Sequence, residues 1–322
     1  TTFLPRTAAA ICKARGRNGP ALWPTRMEIA VDVTSGTYQH GGFECAFVKK
    51  AATKGSEGLP PLLLVHPVGI GLSSWFWDKF LDEWQGGEVY AADLIGCGES
   101  AAWDPKQQDV LETTEWVGQL ETLWAQHIRQ PCVVVVQGGL APVGVQLSAR
   151  MSSGKRGVCG LVLASPPSFD AMREGLDADE VAKNWKWLTS RPGQLSYYFL
   201  RGRPFVKFFS NLFLFAGGSA DDQWLKAACR GATEDAKWPV FAFNAGLVIA
   251  KGFGDEIEAI SGIGQPILVI SGAQDGRTEK RTASAQSLPS CKLITLPGKN
   301  VVPWESPRES AAAILEFCTT LI

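Results

Sequence analysis

The chain alternates between short apolar runs and stretches whose apolar residues recur at helical spacing. Residues 37–50 read as a strand pair with a turn at Gly41-Gly42, and residues 113–128 place Trp and Leu side chains on one helical face. A closing helix is predicted from Pro307, because proline suits the first turn of a helix. The remaining apolar runs predict buried strands: "PPLLLVHP", "EVYAADLIG", "CVVVVQ", "GLVLASPP", "PILVISGAQD" and "KLITLPG".

Strands that alternate with helices predict the α/β class, with a mostly parallel twisted sheet that carries helices on both faces. The rhythm of strands is interrupted in residues 170–261, where the pattern is helical: "DADEVAKNWKWL", "QLSYYFL", "PFVKFFSNLFLF" and "DDQWLKAAC". We interpret this segment as an inserted helical cap. Residues 28–169 and 262–322 would then form the sheet domain, and residues 1–27 a separate basic extension.

Composition excludes some classes of function. The 322 residues are 45% hydrophobic and carry a net charge of −1, so bulk charge does not favour nucleic acid as a partner. No apolar run is long enough to predict a transmembrane helix. The eight cysteines are scattered, without a CxxC pattern or a Cys/His cluster. The sequence therefore predicts no metal and no other cofactor, and it favours reduced thiols over disulfides.

The first 27 residues differ from the rest of the chain. They contain no acidic residue, and their basic residues are Arg6, Lys13, Arg15, Arg17 and Arg26. This composition, rich in alanine and hydroxyl residues, is typical of an organelle transit peptide. A basic, solvated tail is the alternative.

Four segments, in this order, resemble the α/β-hydrolase superfamily: "LLLVHPVGIG", "DLIGCGES", "VVVVQGGLAP" and "LPGKNVVPWESP". The resemblance covers nearly all of the chain after the basic extension and implies the α/β-hydrolase fold. The wording of "HPVGIGLSSWFW" with "DLIGCGES" is most similar to the branch found in cyanobacteria and plastids. Together with the basic N-terminus, this resemblance implies a chloroplast protein, stromal or peripheral to a membrane.

The family's chemistry needs a nucleophile on the turn after the elbow strand, a histidine after the last strand, and a carboxylate that orients the histidine. Aligning the elbow puts Gly139 in the place of the nucleophile, or Leu140 if the register shifts by one residue. Asn300 takes the place of the histidine and Asp275 that of the acid, although Asp275 also suits a simple turn. The resemblance therefore implies a degenerate triad, since glycine cannot attack and asparagine cannot shuttle a proton. A hydrogen bond between Asn300 and Asp275 is expected to brace the two loops.

Other groups that the family uses are also placed by the resemblance. The oxyanion-hole N–H groups would belong to Val68 and Leu140, and they need no particular side chain. The three histidines, His40, His66 and His127, all precede the elbow, so none is expected to act as the base.

The predicted cap is rich in aromatic residues, and several of them share one helical face with Leu212. If exposed, such a face marks a contact with a protein or a membrane surface. Packing onto the sheet domain and around the old pocket is the alternative. The candidate surface or pocket residues are Tyr197, Tyr198, Phe199, Phe205, Phe208, Phe209, Phe213 and Phe215.

Three functions remain open at this point. The first is a catalytically inactive scaffold subunit that binds other proteins in a thylakoid or envelope assembly. The second is a binder of an apolar small molecule in the pocket under the cap. The third is a residual hydrolase or esterase that uses Ser73, Ser74, Ser100 or Cys97, none of which has an evident histidine partner.

Overall fold

The computed structural model describes residues 32–105, 113–152 and 157–322. The predicted basic extension, residues 1–27, lies outside these ranges, so its interpretation stays a prediction. The described strands are β1 (Val33–His40), β2 (Phe43–Lys50), β3 (Leu62–Val65), β4 (Val89–Ala92), β5 (Cys132–Gln137), β6 (Val158–Ala164), β7 (Ile267–Gly272) and β8 (Cys291–Leu296).

These strands form one eight-stranded sheet in the order β1-β2-β4-β3-β5-β6-β7-β8. The pairs β1–β2 and β2–β4 are antiparallel, and all other neighbouring strands are parallel. Gly41 and Gly42 form the predicted turn between β1 and β2, with φ of 55 and 87 degrees, values that suit glycine in a two-residue hairpin. The predicted α/β class with a mostly parallel sheet is confirmed.

Helices follow most of the strands, as the apolar spacing predicts. The described helices are α1 (Asp78–Glu83), α2 (Thr113–Leu123), α3 (Ala141–Met151), α4 (Phe169–Glu174), α5 (Ala178–Thr189), α6 (Arg191–Leu200), α7 (Arg203–Phe209), α8 (Asp222–Gly231), α9 (Lys237–Ala245), α10 (Gly254–Gly262), α11 (Thr278–Ala285), α12 (Val302–Glu305) and α13 (Pro307–Thr319). The predicted closing helix begins at Pro307, as expected.

The sheet is buried on both faces, which explains why its strands read as continuous apolar runs. Alternate residues of β3 and β5 enter two separate apolar clusters on opposite faces. One cluster contains Leu63, Val65, Val134 and Val136, and the other contains Leu62, Leu64, Val133 and Val135.

The chain between β6 and β7 is helical, as predicted. Helix α5 packs against α6 and α9, and α7 packs against α8. Helix α10 instead packs against α3, beside the sheet. The division at residues 170–261 therefore assigns α10 to the cap although it packs against a helix of the sheet domain, and the domain boundaries stay a prediction.

Candidate functional site

The turn after β5 forms the floor of the candidate site. Strand β5 ends at Gln137 and runs into a 3-10 turn, Gly138–Leu140, before α3 begins. Gly138 has a φ of 68 degrees, a left-handed value that strains a residue with a Cβ. A strained strand-to-helix turn is where an α/β-hydrolase elbow carries its nucleophile. The left-handed φ of the turn therefore lies at Gly138, one residue before the predicted nucleophile position at Gly139.

The two glycines at the elbow have different surroundings. A Cβ added to Gly138 would meet no atom within 4 Å, so the space in front of the tip is open. A Cβ added to Gly139 would lie 2.4 Å from Cζ of Phe243. Phe243 belongs to α9, so this helix places an aromatic ring directly against the backbone of the elbow.

Taking Gly138 as the tip of the elbow also changes which backbone N–H groups lie next to the tip. In the family, the oxyanion hole uses the N–H of the residue after the nucleophile, which is now Gly139 instead of Leu140. Leu140 lies inside the 3-10 turn with its side chain fully buried. Val68, the other predicted position, lines the same cavity as Gly139. With Gly138 at the tip, the family pattern assigns the vestigial oxyanion hole to the N–H groups of Val68 and Gly139, and both residues border the cavity.

Asn300, in the predicted place of the histidine, lies beside the elbow and lines the cavity. Its carbonyl oxygen accepts a hydrogen bond of 2.7 Å from Gln137 Nε2. Its backbone N–H donates to the carbonyl oxygen of Leu214 at 3.0 Å. The loop after β8 is thus held against the elbow through the backbone of Asn300.

Asp275, in the predicted place of the acid, follows β7 and is 5% exposed. Its Oδ2 lies 2.5 Å from Arg281 Nη1, and its Oδ1 lies 3.1 Å from Arg277 Nε. Burial opposes ionisation of the carboxyl, but hydrogen bonds from Arg277 and the charges of both arginines outweigh it and lower the pKa of Asp275. The expected hydrogen bond between Asn300 and Asp275 is absent from the described chain, so that prediction is wrong. The carboxylate of Asp275 is instead paired with the guanidinium groups of Arg277 and Arg281.

His66 is buried beneath the loop after β3. Its Nε2 accepts a hydrogen bond of 3.1 Å from the N–H of Leu94, and its Nδ1 lies 2.9 Å from the carbonyl oxygen of Pro67. The first contact needs an unprotonated Nε2 and the second a protonated Nδ1, so the ring is neutral. Burial lowers the pKa of His66, which keeps the ring neutral.

The other two histidines also lie away from the elbow. His40 Nδ1 is 2.8 Å from Thr122 Oγ1, and the ring of His127 packs 4.6 Å from the ring of Phe47. All three histidines of the sequence fall in the described ranges, and none lines the cavity. The described chain therefore offers no imidazole at the elbow.

A cavity of about 990 Å³ lies above the elbow, between the sheet and the helices of the predicted cap. This volume is at the upper end of the range of about 300–1,000 Å³ for small-molecule sites. Gly138 and Gly139 lie on its floor. Its apolar wall includes Leu188, Leu200, Val206, Phe209, Phe213, Leu214, Trp224, Val240, Phe241 and Phe243.

Two polar atoms at the sheet end of this cavity have no hydrogen-bond partner in the described chain, Gln137 Oε1 and Ser165 Oγ. Each residue is 1% exposed. Gln137 ends β5, and Ser165 directly follows the neighbouring strand β6. An unpaired buried polar group costs about 1–3 kcal/mol, so these two atoms oppose folding at the sheet end of the cavity.

Three cationic residues, Arg277, Lys280 and Arg281, line the same cavity, and no Asp or Glu does. They lie on α11 or next to its first residue. Arg281 is 6% exposed, whereas Arg277 and Lys280 are exposed. Asp275, behind this group, offsets one of the three positive charges. The family motifs in the sequence do not indicate this cationic group. The sequence feature that could have indicated it is the pair of arginines, Arg277 and Arg281, shortly after Asp275.

The aromatic residues of the predicted cap divide into buried and exposed groups. Tyr197 and Phe215 are buried, and the hydroxyl of Tyr197 donates to the carbonyl oxygen of Thr233 at 3.2 Å. Tyr197 therefore does not belong to an exposed surface. The exposed group comprises Tyr198 at 42%, Phe199 at 73%, Phe208 at 60%, Phe209 at 42% and Phe213 at 48%.

The exposed group meets the cavity at the π-helical turn after α7. Phe205 is half-buried, and its ring centroid is 6.2 Å from that of Phe209, which is 4.9 Å from that of Phe213. Phe205, Phe209 and Phe213 line the cavity, whereas Phe208 does not. Phe209 and Phe213 therefore belong to both groups, because they are exposed and also line the cavity.

The candidate nucleophiles of a residual hydrolase lie elsewhere. None of Ser73, Ser74, Ser100 and Cys97 lines the cavity. The hydroxyl of Ser100 donates to the carbonyl oxygen of Asp93 at 2.6 Å, a structural contact. Burial raises the pKa of the Cys97 thiol, which disfavours a reactive thiolate.

Within the described ranges, no group of His, Cys, Asp and Glu side chains is arranged to hold a metal ion. In the same ranges, no helix is both long and apolar enough to cross a bilayer.

Residues 62–313 match the model of the alpha/beta hydrolase family. This match covers most of the chain, from β3 into the last helix. The chain belongs to the alpha/beta hydrolase family. A comparison with curated protein sequences gives no significant match.

Solved structures of several hydrolytic enzymes share the fold. The chain is similar to a thermophilic esterase from Thermogutta terrifontis, with a TM-score of 0.65 and 18% identity over 88% of this chain and 97% of the other. It is similar to the haloalkane dehalogenase DbeA from Bradyrhizobium elkani USDA94, with a TM-score of 0.67 and 17% identity over 90% and 99% of the two chains. It is also similar to a serine hydrolase involved in carbazole degradation, with a TM-score of 0.64 and 20% identity over 89% and 99%. At these identities the likeness shows the fold alone.

Proposed function

We propose that this protein is a catalytically inactive member of its family that binds an apolar small molecule in the cavity above the elbow. The observation that carries the proposal is Gly138. The residue with the elbow's left-handed φ has no side chain, yet the space in front of it is open and belongs to a cavity of about 990 Å³. A pocket that no longer serves catalysis would be expected to fill with side chains unless a bound molecule occupies it.

The charged and polar groups around the elbow support the loss of catalysis. Asp275 is paired with two arginines, and Asn300 contacts Gln137 only through its backbone. A triad needs a nucleophile, a base that takes its proton and a group that orients the base. At the aligned positions glycine cannot attack, the side chain of Asn300 cannot take up a proton, and the carboxylate of Asp275 is already paired with two arginines.

The proposal is tested by ligand binding in a matched pair of variants on α6. Leu200 lines the cavity, whereas Leu195 on the same helix is 58% exposed and does not. Displacement of a fluorescent apolar probe by hexadecanol should be seen with the unchanged protein and with Leu195→Trp. It should be lost in Leu200→Trp, because the larger ring fills the cavity. Equal binding by both variants, or none by the unchanged protein, would refute a cavity binder.

A cheap activity assay separates this proposal from a residual hydrolase. Hydrolysis of p-nitrophenyl acyl esters should not exceed the background rate of the buffer. Turnover that disappears on replacing Ser73, Ser74, Ser100 or Cys97 would establish the residual enzyme instead.

The exposed aromatic residues favour a second candidate function, a scaffold subunit that binds other proteins at a membrane surface. Phe199 and Phe208 are 73% and 60% exposed and do not line the cavity, so a ligand does not account for them. Purification of the untagged protein from its source should recover a partner with the unchanged chain. A Phe199→Ser/Phe208→Ser variant should lose that partner while its fold is retained. A chain that is always recovered alone would exclude the scaffold.

We place this function in the chloroplast, in the stroma or at the surface of a plastid membrane. The basic composition of residues 1–27 and the resemblance to the plastid branch support the location. An import assay with isolated chloroplasts should show uptake of the full chain and no uptake of a chain that begins at residue 28. Equal uptake of both would remove the support that the basic segment gives.

A further inference from the structure

The polar end of the cavity is built from the carboxyl ends of three neighbouring strands. Gln137 ends β5, Ser165 follows β6, and Arg281 lies on the helix that follows β7. The order β5-β6-β7 places these ends side by side. The N–H of Phe169 donates to Ser284 Oγ at 3.0 Å, which ties the segment after β6 to α11. The carboxyl ends of parallel strands are where ligands bind in sheets of this kind.

Arg281 dominates the charge at this end. It is 6% exposed, lines the cavity, and bonds to Asp275 through Nη1. A guanidinium has five N–H donors in a fixed fork, so one bond to Asp275 leaves most of them for a ligand. Ser165, at the end of the neighbouring strand, also borders the cavity.

The rest of the lining is apolar or uncharged, apart from Arg277 and Lys280, and it contains no acidic side chain. A neutral ligand would leave Arg277, Lys280 and Arg281 with no anionic partner at this end except Asp275. A cationic ligand would face three positive charges with only Asp275 to offset them. A ligand with an acidic head and an apolar body matches both ends of the cavity.

We propose that the cavity binds a single-headed anionic amphiphile, a long apolar chain that ends in a carboxylate or a phosphate monoester. The head accepts hydrogen bonds from Arg281 and lies near Arg277 and Lys280. The apolar chain runs along the cap side of the cavity, past Leu200 and Phe209. This inference rests on the proposed function, because it requires that the cavity binds a ligand.

The test uses the full chain and three probes of equal chain length: hexadecanoate, hexadecyl phosphate and hexadecanol. Calorimetry or probe displacement should give at least about tenfold tighter binding of one or both anions than of the alcohol, equivalent to about 1.4 kcal/mol. Lys280→Glu should abolish most of this preference without weakening the alcohol. Lys226→Glu, an exposed lysine on α8 that does not line the cavity, changes the net charge equally and should have no effect.

Arg281 is tested together with its partner so that no unpaired charge is buried. The Asp275→Asn/Arg281→Gln variant should keep hexadecanol binding and lose most of the preference for the anions. If the anions and the alcohol bind equally in every variant, the acidic head is wrong and the apolar cavity binder stands. If none of the three probes binds the unchanged protein, the proposed function fails together with this inference.

Discussion

Arg281 Nη1 and Asp275 Oδ2 are 2.5 Å apart, and both side chains are almost fully buried. In this family the loop after the corresponding strand supplies the carboxylate that orients the catalytic histidine. Here that carboxylate is neutralised by the guanidinium of Arg281 and by Arg277. Retention of an acidic residue at a family position therefore does not mean that its role is retained.

The pairing predicts a large stability effect when one partner is removed. Asp275→Asn leaves Arg281 as a buried charge without a neutralising partner, and the free energy of unfolding should fall by about 3–5 kcal/mol. Urea unfolding followed by circular dichroism measures the change. An exposed ion pair provides the control: Arg203 and Asp222 have side chains 53% and 94% exposed, so Arg203→Gln should cost less than about 1 kcal/mol. If both variants lower the free energy of unfolding by the same amount, the buried pair stabilises the fold no more than an exposed pair does.

The same carboxylate predicts how stability depends on pH. The folded pKa of Asp275 is lowered, so in acid the folded state binds fewer protons than the unfolded state. Its contribution is complete above the ordinary aspartate pKa of about 3.9 and is lost as the pH falls through the lowered folded value. The Asp275→Asn/Arg281→Met variant should therefore lose less stability than the unchanged protein below about pH 4. The unfolding free energies of both proteins are measured across that pH range. If the two curves of free energy against pH run parallel, Asp275 is not the group responsible.

The two elbow glycines predict opposite behaviour in a double-mutant cycle with Phe243. Gly138→Ala should cost about 1–3 kcal/mol through its left-handed φ, since nothing obstructs the new methyl group. Gly139→Ala should be destabilising for a different reason, because its Cβ would meet the ring of Phe243.

Replacing Phe243 by alanine in both backgrounds separates the two causes. The change should rescue most of the cost of Gly139→Ala and none of the cost of Gly138→Ala, as measured by urea unfolding. Rescue of Gly138→Ala instead would mean that a Cβ at Gly138, not one at Gly139, meets the ring of Phe243.

The elbow shows where sequence reasoning succeeds and where it stops. The apolar run of β5 followed by glycines was enough to predict a strand, a tight turn and a helix. In "QGGLAP" no side chain marks the tip, and the sign of φ at Gly138 depends on how the turn packs. The sequence therefore places the tip at Gly139 or Leu140, whereas the left-handed φ lies at Gly138.

The rest of the site depends on how the helices and loops pack against one another. Helix α9 brings Phe243 to the elbow, yet its sequence "KWPVFAFNA" has a proline and little helical periodicity, so the pattern does not indicate it. The pairing of Asp275 with Arg281 requires that α11 turns back over the loop after β7. Alternating strands and helices follow from local periodicity, whereas these contacts follow from tertiary packing.

The exposed aromatic residues predict a surface that contributes little to stability. Because Phe199 and Phe208 are mostly exposed, replacing both by serine should change the free energy of unfolding by less than about 1 kcal/mol. Phe241, a buried ring that packs against Tyr197, is the contrast: Phe241→Ala should cost about 3–5 kcal/mol. Thermal unfolding of the three proteins checks this. A large loss from the serine variant would show that the two exposed rings have a structural role.

Rebuilding the triad from its aligned positions should fail, for a reason visible in the structure. Gly138→Ser would place a hydroxyl in open space at the cavity floor, and Asn300→His would place an imidazole beside the elbow. The histidine would still lack a free carboxylate, since Asp275 already accepts from Arg277 and Arg281. In a serine protease, disabling that carboxylate costs about 10⁴ in kcat. The double variant should therefore hydrolyse p-nitrophenyl esters no faster than Gly138→Ser alone. A clear gain that titrates with an imidazole pKa would show that Asp275 can leave its arginines and serve a histidine.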